Sequence, residues 1–378
     1  MSVYFDNAAT TRLDPQVLDC MIPYMLENYG NASSVHGFGR AARFAVENAR
    51  TQIANYLQAS PGEIFFTSGG TESDNTAILS AVKGMGIRRV ITSSLEHHAI
   101  LHTLQALERS GAIQLLLVRH DRQGVLDLSH LEELLQSQEK AFVSIMHGNN
   151  EIGNLNDIET IATLCRHYQA IFHTDTVQTM GHYRFDLSRL PVHFLVGSAH
   201  KFHGPKGVGF LYVRKSVQAH PLISGGSQEK GVRAGTENVS GIAGMAKALE
   251  IAYAGLDHHR HAVENLKRLC IQSLRSFIPD ISFNGCSASL DKSLYTVLST
   301  NFPDADADLL SYLDQRGFAV SGGSACNSHS KGSHVIRALQ NGQQGQVVRF
   351  SFSRYNTLQE VRTLAAELSP LYKQVAVA

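Results

Sequence analysis

The chain is short of cysteine, of any excess charge and of long hydrophobic runs, and each shortage excludes something. Its five cysteines (Cys20, Cys165, Cys270, Cys286 and Cys326) are odd in number, widely spaced and contain no Cys-x-x-Cys pair. Neither a disulfide framework nor a structural zinc site is expected from that pattern. Lys and Arg number 33 against 33 Asp and Glu, so no surplus of cations exists to neutralise phosphates. Direct nucleic-acid binding and anionic-membrane binding are therefore not expected. The longest apolar runs, such as residues 113–118, fall far short of the roughly 20 residues of a membrane helix. The opening MSVYFDNAATT lacks the basic-then-apolar order of a secretory signal. A soluble, cytoplasmic protein is the expectation. What is present is ordinary globular material, 43% hydrophobic and 17% charged, which argues against disorder. A length of 378 residues suggests two domains.

Between residues 60 and 215, short β-rich runs alternate with stretches of helical period. The runs are Ile64-Phe65-Phe66, Val90-Ile91, 113–118, 142–146, Ile171-Phe172, Phe194-Leu195-Val196 and 209–213. Between them, Leu128, Leu131, Leu134 and Leu135 fall on one helical face. Such alternation predicts an α/β fold with a mainly parallel seven-stranded sheet sandwiched by helices. Helices are also predicted over 72–81, 240–255, 258–277 and 358–372. The large domain is assigned to residues 14–257. Residues 1–13 and 258–378 are assigned to a smaller α+β domain.

In open α/β sheets, ligands bind outside the carboxyl ends of the strands. Here five apolar runs lead directly into polar clusters: Thr67-Ser68-Gly69-Gly70-Thr71-Glu72, Ser93-Ser94-Leu95-Glu96-His97-His98, His147-Gly148-Asn149-Asn150-Glu151, His173-Thr174-Asp175-Thr176-Val177-Gln178 and Ser198-Ala199-His200-Lys201. They should converge on one crevice. Gly69-Gly70-Thr71 opens a helix whose free N–H groups suit a phosphate, although Thr with Glu beside it also makes an ordinary cap. No nucleotide-type Gly-x-x-x-x-Gly-Lys-[Ser/Thr] occurs. Lys201 is either an exposed loop cation or a desolvated amine able to form a Schiff base with an aldehyde cofactor. Asp175, 26 residues upstream, is either a cap or the partner of a protonated pyridine. Taken together, the phosphate site, the lysine and the acid specify pyridoxal 5'-phosphate better than any one does.

These clusters, with Tyr4-Phe5-Asp6-Asn7-Ala8-Ala9-Thr10-Thr11 at one end and Arg349-Phe350-Ser351 at the other, resemble those of the fold-type I pyridoxal-phosphate enzymes. More narrowly, the chain is similar to the cysteine desulfurases of the NifS/IscS type, within the class V aminotransferases. The resemblance implies Lys201 as the Schiff-base lysine, Asp175 as the pyridinium partner and Gln178 as the partner of the ring hydroxyl. It implies His97 as the imidazole over the ring, able to move protons, and Gly70, Thr71, Ser198 and His200 around the phosphate. Thr236 would reach a partner subunit's cofactor, which makes the protein a homodimer. Asn150 and Arg349 would orient the substrate carboxylate. Cys326, in Ser321-Gly322-Gly323-Ser324-Ala325-Cys326-Asn327-Ser328, matches the family's nucleophilic cysteine. The implied reaction converts L-cysteine to L-alanine and leaves a persulfide on Cys326 for a transient acceptor protein, in iron–sulfur cluster assembly or thiolation.

The residues read without the family point the same way. Cys326 stands among small residues, with Lys331, His329 and His334 near enough in sequence to favour its thiolate, whereas Cys20, Cys165 and Cys270 lie in helical patterns and belong to the core. His258 and His261 could share a helix face, but no further ligand motif accompanies them, so no metal is expected. Asp304, Asp306 and Asp308 lack the spacing of a calcium loop and more simply begin a helix. Rivals on the same scaffold are a class V aminotransferase, a selenocysteine lyase or a kynureninase. A non-enzymatic sulfur carrier would use Cys326 alone and leave Lys201, Asp175, His97 and Gln178 without a task.

Overall fold

The computed structural model describes residues 2–303, 308–322, 332–339 and 345–373. In chain order the elements begin with β1 (Val3–Tyr4), α1 (Pro15–Leu26), α2 (Gly37–Leu57), β2 (Ile64–Thr67), α3 (Gly70–Leu79) and β3 (Arg89–Ser93). They continue with α4 (His98–Arg109), β4 (Gln114–Val118), α5 (Leu128–Leu135), β5 (Ala141–Ser144), α6 (Ile158–His167), β6 (Ile171–Asp175), β7 (Phe194–Ser198) and β8 (Gly209–Val213). The remainder comprises α7 (Val239–Ala254), α8 (Leu256–Phe277), β9 (Ser282–Phe283), β10 (Val297–Phe302), α9 (Leu309–Gln315), β11 (Phe318–Ala319), α10 (His334–Ala338), β12 (Gln346–Ser351) and α11 (Leu358–Lys373).

All seven apolar runs between 60 and 215 become strands of one sheet, in the order β2-β8-β7-β6-β5-β3-β4. The sheet is parallel except that β8 runs against both β2 and β7. Alternate side chains of each strand leave opposite faces, and the cores follow that rule. Phe66, Ile91, Val143, Phe172, Leu195 and Phe210 join one apolar cluster. Phe65, Val90, Phe142, Ile171, Val196 and Leu211 join another. Helix α7 packs on α1 and α2, and α3 packs on α4. The helix predicted over 72–81 starts two residues earlier, because the flexible Gly69 (φ +153°) precedes it, and its end passes into a single π turn over Ser80–Gly84.

A third apolar cluster unites Val3 and Phe5 with Val263, Leu266, Leu298, Phe318, Phe350, Val361 and Leu368. The N-terminal strand β1 pairs in parallel with β11, and β10 lies between β12 and β9 in an antiparallel sheet. Asp308 caps α9 through its Oδ1, while Asp304 and Asp306 lie outside the described residues. His258 and His261 are exposed on α8. Among the described residues no group of three potential ligands could hold a metal ion, and no helix is long and apolar enough to cross a membrane.

Candidate active site

The carboxyl ends of β2, β5, β6 and β7, with the start of α4, surround a cavity of about 230 Å³. Gly70, Thr71, His97, Asn150, Asp175, Gln178, Ser198, His200 and Lys201 all line it. They come from five sequence-distant clusters because each cluster sits just past a strand that the sheet brings alongside the others.

At the phosphate-friendly end, Gly70 and Thr71 form the first turn of α3, where backbone N–H groups lack helical acceptors. The backbone is crowded there. A Cβ on Gly209 of β8 would lie 2.8 Å from the Cα of Gly69, so the loop can lie against that strand only with glycine. The hydroxyl of Ser198 and the ring of His200 face the same cavity. Burial, then the charges of Lys201 and Lys206, lowers the His200 imidazole to about 4, so it is neutral at pH 7.

Lys201 follows β7 in a single 3₁₀ turn. Its Nζ donates to the carbonyls of Ala8 (2.6 Å) and Ala9 (2.9 Å), and Gln178 Nε2 donates to the same Ala8 carbonyl at 3.0 Å. The N-terminal segment thus lies across the site, tied at its other edge by Ser351 Oγ, which accepts from Ala8 N at 2.8 Å. Asp175 ends β6, buried but facing the cavity. Burial raises its carboxyl, against the Val177 N–H at 2.7 Å and the charge of Lys201, which favour the anion. His97 caps α4 by accepting the Ala99 N–H on Nδ1 at 3.1 Å, which puts the proton of the neutral ring on Nε2. Burial, with smaller contributions from Lys201, His334 and His102, lowers it to about 4.

Of the remaining residues singled out from the sequence, Arg349 and Thr236 do not line this cavity. Arg349 is buried in β12, with Nη1 on the Asn150 carbonyl and Nη2 on Asp6, both at 2.8 Å, so it stands behind Asn150. Thr236 is exposed on a loop before α7. Cys326 lies outside the described residues. The residues on either side of its segment are anchored near Asn150. Ser321 exchanges backbone hydrogen bonds with Arg349, and Ser333 Oγ bonds Glu151. The other four cysteines are poor candidates for a thiolate, because burial is the leading influence on each and raises Cys20, Cys286, Cys165 and Cys270. Cys20 is only partly buried, less enclosed than its helical pattern implied.

Sequence reasoning missed Asp74, which lines the cavity from the second turn of α3. Its spacing from Gly70, one helical turn, was the available signal. It also missed the two backbone acceptors at Ala8 and Ala9, for which no side-chain signal exists.

The aminotransferase class-V family model matches residues 3–364. A relative from Dictyoglomus turgidum, "Cysteine desulfurase IscS", is 41% identical over 95% of this chain and 91% of its own. "Putative cysteine desulfurase IscS 1" of Bacillus subtilis is 39% identical over 99% of both chains. Among solved structures, a "NIFS-LIKE PROTEIN" superposes with TM-score 0.90 at 37% identity, covering 98% of this chain and 99% of that one. "SspA in complex with cysteine" gives 0.80 at 31%, covering 94% and 100%. Matched along almost its entire length, with a lysine, an aspartate and a helix N-terminus meeting at its strand ends, this chain belongs to the aminotransferase class-V family.

Proposed function

We propose that the protein is a pyridoxal-phosphate-dependent cysteine desulfurase that converts L-cysteine to L-alanine and leaves a persulfide on Cys326. The observation that carries the reading is the convergence of Lys201, Asp175, Gln178, His97 and the α3 N-terminus on one cavity. That donor set fits the cofactor: an amine for its aldehyde, a carboxylate for its ring nitrogen, an amide for its ring hydroxyl, and a helix N-terminus with Thr71, Ser198 and His200 for its phosphate. Bound there, pyridoxal phosphate would supply an electron sink for a carbanion at the substrate Cα. The relatives named as desulfurases and the neighbour solved with cysteine support the substrate.

The chain's own residues then divide the work. Asn150, backed by Arg349, orients the substrate carboxylate. Lys201, as a free amine, takes the Cα proton and returns one to the product. Asp175 holds the negative charge that favours a protonated ring nitrogen. Cys326, as thiolate, attacks the substrate sulfur. The C–S bond breaks, its electron pair stays on carbon, and a proton from Lys201 or His97 completes alanine. The hydrogen bonds of Ser321 with Arg349 and of Ser333 with Glu151, on either side of Cys326 in the sequence, support Cys326 as this cavity's nucleophile.

The exposed apolar side chains of residues 18–44, among them Leu26, Val35 and Phe44, support a homodimer, with Thr236 offered to the partner's phosphate site. The persulfide would pass to a transient acceptor protein. The test is a pair of mass-spectrometric maps. Borohydride reduction should fix the cofactor on Lys201, and incubation with cysteine should add sulfur to Cys326. Cofactor on Lys206 or Lys230, or sulfur on Cys286, overturns the assignment. In Cys326→Ser the cofactor's yellow absorption should persist while alanine and sulfide release fall to background. Full activity in that variant would instead favour a lyase or aminotransferase.

A further inference from the structure

Two carboxylates face the cavity, and the reaction above uses only one. Asp74 is 1% exposed and His173, two residues before Asp175 on β6, is 0% exposed. Their facing atoms, Asp74 Oδ1 and His173 Nε2, lie 3.4 Å apart, and neither has another hydrogen-bond partner among the described residues. The far nitrogen of His173, Nδ1, is 2.9 Å from Ser144 Oγ.

We propose that Asp74 is a positioning residue that keeps a proton at neutral pH, shares it with His173 Nε2, and so leaves Asp175 as the one negative charge on the cavity wall. Two buried carboxyl groups that share a cavity oppose each other's ionisation, and their surroundings decide which one ionises. Asp175 has a backbone N–H at 2.7 Å and Lys201 nearby. Asp74 has neither, and burial, Asp175 and Glu96 all push its carboxyl upward. Glu96 is itself buried and pushed upward, with Oε1 on the Met146 N–H at 2.8 Å. Transfer of the proton to His173 would create a buried ion pair, and burial lowers that imidazole to about 3. The arrangement that satisfies every group is neutral. Asp74 O–H donates to Nε2, and Nδ1–H donates to Ser144 Oγ. The link to Asp175's task rests on the proposed cofactor, but the proton on Asp74 does not.

Infrared difference spectra of wild type against Asp74→Asn, recorded at pH 7 on protein as purified with its cofactor, read that proton directly. The expected result is a protonated-carboxyl C=O band that shifts in heavy water and disappears in Asp74→Asn, while Glu96→Gln removes a separate component. Absence of an Asp74 band overturns the proposal. A second reading is the pH titration of the cofactor's visible absorption. An amide imitates a neutral acid, so Asp74→Asn should move the midpoint by less than about half a unit. Loss of an ionised neighbour would lower it by about 1–3 units and would also overturn the proposal. If the protein carries no cofactor absorption, the desulfurase reading fails while the infrared result still decides the state of Asp74.

Discussion

Asp175 is the residue whose chemistry and position are least separable. Asp175→Asn preserves shape and the Val177 contact but removes the charge that the ring nitrogen of the proposed cofactor would meet. Removing one preorganised electrostatic group commonly costs about 10²–10³ in kcat, and a loss of about that size is expected with cofactor still bound. Turnover within a few-fold of wild type would reduce Asp175 to a cap for the Val177 N–H. This residue was legible in the sequence because an acid directly after Ile171-Phe172-His173-Thr174 must emerge at a strand end. Lys201 and His200 were legible for the same reason. Asp74 was not, because an acid in the second turn of a helix reads as an ordinary solvent-facing residue. Only the packing of α3 over β6 turns it inward. The carbonyls of Ala8 and Ala9 carry no side-chain identity at all, so their grip on Lys201 could be found only in three dimensions.

At the scale of elements, α8 carries a group that apolar patterning does not announce. Lys267 is 0% exposed and donates to Ser293 Oγ and the Leu294 carbonyl, both at 2.7 Å. Burial lowers its amine to about 7. Between that value and the ordinary lysine value the unfolded chain binds more protons than the folded one, so stability rises with pH through this window and is flat below it. The stability difference between wild type and Lys267→Met, measured by urea unfolding at pH 6 to 9, should therefore change in favour of wild type above pH 7. The slope should approach at most about 1.4 kcal/mol per pH unit. A constant difference would mean that the folded chain keeps this amine protonated up to pH 9. The seven strands of the large sheet and the helices predicted over 72–81, 240–255, 258–277 and 358–372 were legible from period and apolar runs, to within a few residues, whereas α1 and α2 were not. The direction of β8 was not. Nothing in Gly-Phe-Leu-Tyr-Val tells that the strand returns antiparallel between β2 and β7, since that depends on the short connection from Lys201 to Gly209.

For the whole molecule, the first test is assembly. Phe44 is 74% exposed and Val35 87%, and Tyr29 and Phe38 of the same stretch are exposed as well. Phe44→Asp should convert a dimer to a monomer in sedimentation and weaken cofactor retention, although no cavity residue changes. A wild type that sediments as a monomer would refute the shared-site reading of Thr236. The tie between Lys201 and the carbonyls of Ala8 and Ala9 has a consequence in time. Val3 and Tyr4 pair with Phe318 and Ala319, and Ala8 bonds Ser351. Residues 3–8 are therefore made first and wait for residues 318–351 to hold them. The parallel sheet can form during synthesis, as domains commonly do. The lysine's two carbonyl partners are held in place only after residues 318–351 have been made, so a chain cut before them cannot assemble the site.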